Sequence, residues 1–358
     1  MAKQRFIALD ALRGLAIALM ILVNTPGSWQ HVYAPLLHAP WDGFTFADIV
    51  FPGFLFVVGA AMFYSLRTAS LTPAVLWRIA KRSLLLIAIG ILLNWYPFTT
   101  AVSELRIPGV LQRIGLSYAI AAILVLSLRG RYLLPLSVLL LTGYYLLLQM
   151  FGDGQPFSLQ HNAVLKLDLL LLGPAHLYQG FGIAFDPEGL LSTMPAVVSV
   201  LAGFMVAQQL SDRSAAEGLR WLLQVVVVLL AISLVLASFW PLNKALWSGS
   251  YVTLSTAILV LLLALLLWLS DINGKQQWVQ PWVTYGTNPL FIYILSWLWA
   301  ATLMRIPVAD TNLYQASFEL LALVLPAKMA SLLFAILHVV LFWWLSRLLY
   351  RRGIVIRL

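Results

Sequence analysis

The sequence predicts an all-α polytopic integral membrane protein, with about ten transmembrane helices and both termini on the cytoplasmic side. Three observations carry this. Of 358 residues, 62% are hydrophobic and only 10% charged, whereas soluble domains carry about a quarter charged residues. Mean hydropathy is +0.92. The apolar runs are continuous and do not alternate as barrel strands do, so the spanning elements are helices. The excess of 22 Lys+Arg over 13 Asp+Glu does not call for nucleic acid, because cytoplasmic loops of membrane proteins are enriched in Lys and Arg. The chain contains no Cys, which excludes disulfides, thiol nucleophiles and thiolate metal sites. No other spacing resembles a zinc site, so no metal is expected.

A span needs about 20 mostly apolar residues. The runs that qualify are 7–25, 46–66, 80–98, 108–128, 132–150, 190–209, 219–239, 247–269, 287–304 and 328–349. The first follows a basic start with no small-residue cleavage site after it, so it reads as a retained span. With the N-terminus inside, Lys3, Arg5, Arg13, Arg78, Lys81, Arg82, Arg351, Arg352 and Arg357 fall on the cytoplasmic side. Arg106, Arg113 and Lys244 are among the few cations on the other side or its flanks. That asymmetry sets the orientation. The chain reads as a single transmembrane domain over 1–358, and 151–189 is a long extracytoplasmic loop, of a length that is usually functional.

Polar groups beside membrane spans are costly and mark functional sites by default. Asn24, His38 and Asp48 lie in and around the 26–45 loop, in NTPGSWQHVYAPLLHAPWDGFTFADIVFPGFLF. Histidine suits proton transfer near neutral pH, a carboxylate can orient it, and an asparagine can donate to a developing oxyanion. An interfacial histidine and a helix-capping aspartate are the bland alternative, and His31 in the same loop is the rival base. Asp10 and Arg13, at i,i+3, can pair on one helix face. In LRIPGVLQRIG, Pro108 suits a helix start, and Gln112 and Arg113 project about one turn inward. In FDPEGLLSTMP, Asp186 and Pro187 open a helix with Glu188 in its first turn. PLNKALWSGSYVTLST brings Lys244, Trp247 and Ser248 to a span boundary, and Asn288 stands at another span start. His338, in the last span, is expected to hydrogen-bond to a neighbouring helix.

The stretches LDALRGLAIALMILVN, HAPWDGFTFADIVFPGFLFVVG, LRIPGVLQRIGLSY, FDPEGLLSTMPAVVSVLAG, PLNKALWSGSYVT and GTNPLFIY resemble, in order, the catalytic membrane domain of the heparan-α-glucosaminide N-acetyltransferase family, a group of transmembrane acyltransferases. The resemblance implies transfer of an acetyl group from cytoplasmic acetyl-CoA to an amino sugar, glucosamine-like, on the far side of the membrane. It places the active-site histidine on His38, with Asn24 and Asp48 beside it. His38 would act as a general base or carry the acetyl group covalently. The CoA phosphates need cations, for which Arg13, Arg113, Arg106 and Lys244 are the candidates, with Gln112, Trp247, Ser248 and Asn288 as further binding residues. The loop between Asn24 and His38 is a few residues longer than in the lysosomal members, and the chain opens directly on the first catalytic motif. The longer loop leaves His31 beside His38 as a rival and leaves the acceptor open, while the short architecture resembles a bacterial inner-membrane member, and the family suggests a homodimer. The rival functions are an O-acyltransferase of a cell-envelope glycan and an amino-sugar permease. The permease is disfavoured because the polar groups gather at one end of the bundle and no inverted repeat is visible.

Overall fold

The structure, a computed structural model, describes residues 6–356. Lys3, Arg5 and Arg357 of the orientation argument lie outside the described residues. The described chain folds into thirteen α-helices. The first seven are α1 Ile7–Asn24, α2 Val50–Leu66, α3 Pro73–Trp95, α4 Val110–Ser127, α5 Leu133–Phe151, α6 Ala163–Leu171 and α7 Thr193–Ser211. The others are α8 Ala215–Ala237, α9 Gly249–Leu267, α10 Gln276–Tyr285, α11 Pro289–Leu303, α12 Leu313–Ala322 and α13 Ala327–Arg351. A two-residue hairpin, Pro307–Val308 against Thr311–Asn312, separates α11 from α12.

Each of the ten expected spans falls on a helix, but among the described residues only eight helices are both long and apolar enough to cross a membrane. The two that fall short do so for different reasons. α3 has 23 residues but carries Arg78, Lys81 and Arg82 in its first half. α11 is apolar but has 15 residues, about 22 Å of helix.

The centre of the bundle is α1, α2, α7 and α9, whose side chains form the main core. Helices in a bilayer gain nothing from hiding Leu from lipid, so close backbone approach through small residues matters more. α2 and α7 show this reciprocally. A Cβ on Gly59 would lie 1.8 Å from the Val200 carbonyl oxygen, and one on Gly203 would lie 1.8 Å from that of Phe56. The contact holds α2, and the loop that precedes it, at a set height in the bundle.

Two local expectations are corrected. The 186–192 segment is a turn, and α7 begins only at Thr193. Asp186 does not open a helix because its carboxylate is held elsewhere, by Arg106 and by the Tyr178 and Glu188 amides. His338 bonds within its own helix, to the Phe334 carbonyl oxygen at 2.9 Å. The 151–189 segment holds α6 and folds back over the end of the bundle.

Candidate active site

The 26–49 loop becomes rigid through the side chains that made it conspicuous in the sequence. Asp48 is fully buried, in a short 3₁₀ turn, Phe46–Ile49. One carboxylate oxygen accepts from the Thr45 amide at 2.9 Å and the Ala39 amide at 3.3 Å. This is a capping box. The other oxygen receives His38 Nδ1 at 2.8 Å. Capping and orienting a histidine, weighed as alternatives in the sequence, are performed by the same carboxylate. A carboxylate can only accept, so the Nδ1 proton points to Asp48 and the Nε2 lone pair faces outward. The His38 side chain is 44% exposed.

A second loop completes the arrangement. Asn243 donates from Nδ2 to Asp42 at 3.0 Å, and the Gly43 amide donates to the Leu242 carbonyl oxygen at 2.7 Å. This docking carries Lys244 to the imidazole, with Nζ 3.0 Å from Nδ1, 3.1 Å from Nε2 and 3.8 Å from the Asp48 carboxylate. Burial pushes the Lys244 ammonium below the ordinary lysine range, and Asp48 pulls it partly back. Trp41 ties the first loop to the 151–189 segment, donating to the Phe157 carbonyl oxygen at 2.8 Å and packing edge-on to Phe185.

These groups open on a chamber of about 670 Å³ lined by His38, Asn24, Lys244, Arg106 and Glu188, with Trp29, Tyr178 and Phe181 as aromatic walls. Tyr178 and Phe181 escaped sequence reasoning because they lie in a segment without periodicity. Arg106 donates from Nε and Nη2 to the two oxygens of Asp186, each at 2.8 Å, and from Nη2 to Glu188 at 2.7 Å. Burial opposes its charge, but the two carboxylates outweigh that and raise the pKa further above the ordinary range. Asn24 is exposed to the chamber, and its side chain has no hydrogen-bond partner among the described residues.

The chamber is one of a chain of cavities. Met20, Phe54, Val110 and Tyr293 form a waist shared with a largely apolar cavity of about 160 Å³. That cavity also touches Arg82 and shares Arg13, Val57 and Ala61 with a vestibule of about 280 Å³ at the other end of the bundle. Arg13 pairs with Asp10 at 2.9 Å, as the spacing predicts, and donates from Nε to the Gly286 carbonyl oxygen at 2.6 Å.

The remaining sequence candidates lie behind these walls. Gln112 donates to the Ile107 carbonyl oxygen at 2.9 Å and fills the space left by Gly90 and Gly109. Arg113 is 1% exposed, bonds Gly189 and Ser192, and lies over the Trp247 ring at 5.2 Å. Trp247 in turn packs edge-on to Phe51 of the chamber wall. Ser248 caps α9 through the Tyr251 amide. Asn288 holds the chain after α13, at Ile354 and Ile356. His31 sits apart from the chamber, with Nδ1 3.2 Å from the Ser28 hydroxyl.

The sequence model for heparan-alpha-glucosaminide N-acetyltransferase, catalytic, matches residues 5–210, more than half of the chain and inclusive of His38, Asp48, Arg106 and Glu188. The chain belongs to this family. Curated heparan-alpha-glucosaminide N-acetyltransferases from Mus musculus and Homo sapiens are 30% and 31% identical to it, over 82% and 81% of the chain. It spans about half the length of these relatives, 53% and 52%. In this family member the motifs that carry the sequence resemblance therefore converge on one chamber and on the packing behind it.

Proposed function

We propose that the protein is a transmembrane acetyltransferase of a bacterial inner membrane, moving the acetyl group of cytoplasmic acetyl-CoA to an amino sugar on the periplasmic side. The observation that carries this is the chain of cavities from Arg13 to His38, ending on an imidazole backed by a buried carboxylate. From Arg13 to Asn24 along α1 the distance is about 16 Å. The path offers cations, Arg13 and Arg82, at one end and a narrow apolar middle. It ends in a polar chamber. A nucleotide phosphate group, a flexible pantetheine arm and a thioester fit that order of surroundings. On this reading Arg113, Gln112, Trp247, Ser248 and Asn288 support the walls and do not touch the co-substrate.

His38 Nε2 takes the proton from the amine as its nitrogen attacks the thioester carbon, Asp48 stabilises the imidazolium that forms, and the C–S bond then breaks with the imidazolium returning the proton to the departing CoA thiolate. Lys244 Nζ, equally near both ring nitrogens, gives way as the amine reaches Nε2. The unpartnered Asn24 amide donates to the thioester carbonyl as charge develops on its oxygen. Glu188, fixed by Arg106, faces the acceptor.

The test is transfer from radiolabelled acetyl-CoA to glucosamine by purified protein in nanodiscs, for wild type and His38→Ala. Acetylated sugar from the wild type alone supports the proposal. Label retained on the protein before sugar is added assigns a covalent acetyl-histidine step. Acetyl-CoA binding without sugar product moves the acceptor to another class, such as a glycan hydroxyl. Absence of acetyl-CoA binding overturns the transferase and favours a permease.

A further inference from the structure

A second cavity, of about 310 Å³, branches from the chamber at the waist, sharing Met20, Asn24 and Tyr293 with it. The acetyl-CoA path runs between Arg13 and His38 and leaves this branch unused. One wall, from α1 and the end of α3, sets Asn24, Thr25 and Asn94 beside Met20 and Ile21, with the Thr25 hydroxyl donating to the Ile21 carbonyl oxygen and the Asn94 amide to those of Arg106 and Pro108. The other is mostly apolar and comes from α11, with Trp297 and Ala301, and from Met304 just after it. From Tyr293 to Ala301 the branch follows α11 for about 12 Å.

The branch lies at a seam between α3 and α11. Both helices carry exposed apolar side chains, including Leu92 (50% exposed) and Trp299 (42%), which in a spanning bundle face lipid. Among the described residues, the polar and ring contacts that bridge α11 and the end of α3 all run through Tyr96. Its hydroxyl lies 2.9 Å from that of Thr302, and its ring packs edge-on to Trp297. Arg305 lies over the same ring at 5.0 Å and donates to the Tyr96 carbonyl oxygen at 3.2 Å. These contacts bridge the seam at its aqueous end. The apolar stretch of α11 below the bridge faces a cavity that leads to Asn24.

We infer that the acceptor is amphiphilic: its amino sugar reaches Asn24 and His38, and an apolar aglycone lies in this branch and leaves through the α3–α11 seam into the bilayer. The inference rests on the acetyltransferase reading and adds the class of acceptor to it. An apolar chain finds partners on α11 and in the lipid beyond. Asn24, unpartnered among the described residues, meets the linkage to the sugar. A free monosaccharide would leave the branch to lipid or water.

The experiment compares glucosamine, a glucosamine disaccharide and n-octyl glucosaminide as acceptors, in nanodiscs with radiolabelled acetyl-CoA. The wild type is expected to use the octyl glucosaminide with kcat/KM at least ten-fold above glucosamine. Ala301→Trp, which fills the branch from the α11 wall, is expected to bring that ratio close to one. Ser296→Leu, deeper in the branch, provides a second plug if the first fails to assemble. Equal efficiency for the octyl compound and glucosamine overturns the inference and leaves the acetyltransferase standing. A preference for the disaccharide, or an octyl preference that survives both plugs, also overturns it. No transfer to any acceptor by the wild type overturns the acetyltransferase reading and this inference with it.

Discussion

The chamber holds two clusters that pair cations with carboxylates, and they differ in what is left over once the pairing is made. Around Arg106, three charge-assisted hydrogen bonds and the Tyr178 ring at 4.8 Å use most of the guanidinium's capacity. Around His38, the carboxylate is saturated by amides and by Nδ1, while Nε2 is approached only by a lysine ammonium that lies equally near Nδ1. A saturated cluster positions a wall. A cluster with one unspent lone pair can exchange a proton. The same residue types therefore serve opposite purposes according to their hydrogen-bond accounting.

Breaking each cluster should separate these purposes. The largest effect is expected for His38→Ala, a loss of up to about 10⁴ in transfer rate, about 5.5 kcal/mol. Thermal stability should stay close to wild type, because the side chain is partly exposed. A stability loss as large as the activity loss would remove the distinction. Arg106→Ala should do the reverse. It strands the fully buried Asp186 charge and should cost about 3–5 kcal/mol of stability, read as a lowered melting temperature with acetyl-CoA absent.

Asn24→Ala should lower kcat by about 10²–10³ with little change in melting temperature; a change in KM alone would make Asn24 a binding residue. The fourth prediction concerns Asp168, behind the Arg106 cluster. Burial raises its carboxyl from 3.8 to about 6, and one of its oxygens has no hydrogen-bond partner among the described residues. The native form holds this proton to higher pH than the unfolded chain does, so stability should fall as pH rises from about 4 to about 6. Asp168→Asn should flatten that slope and stabilise the protein at pH 7.5 by up to about 3 kcal/mol. Unchanged pH dependence in a melting series would rule this out. The smallest effect is expected for Arg82→Gln, a rise of about ten-fold in KM for acetyl-CoA, about 1.4 kcal/mol, with kcat retained.

Much of the candidate site was legible because the membrane makes polar residues expensive. Asn24, His38 and Asp48 stood out against apolar runs, and the bundle does place His38 on Asp48 and Asn24 at the same chamber. Gln112, Arg113, Trp247, Ser248 and Asn288 stood out for the same reason, yet they lie in the packing behind the cavities. Expense alone does not distinguish a group bound to substrate from one bound to the protein's own backbone. Arg113, whose Nη2 bonds Gly189 and Ser192 while Nε and Nη1 have no hydrogen-bond partner among the described residues, shows that a buried cation can be turned to the protein's own structure. The aromatic wall of Tyr178 and Phe181 gave no signal, since a non-periodic segment has no face to assign.

By itself the sequence determined the helical membrane class, the helices under all ten expected spans, the Asp10–Arg13 pair and the polar residues, His38 among them, that stand out against the apolar runs. Each follows from local rules: the length of an apolar run, i,i+3 spacing, and the cost of charge beside lipid. Only the tertiary structure decided that Lys244, 206 residues from His38 in the chain, meets its imidazole, and that Arg106 clamps Asp186 instead of leaving it to open α7. It also decided that the cavities join end to end with a branch at the waist. Those facts depend on which helices approach closely, and that is set by packing across the whole bundle.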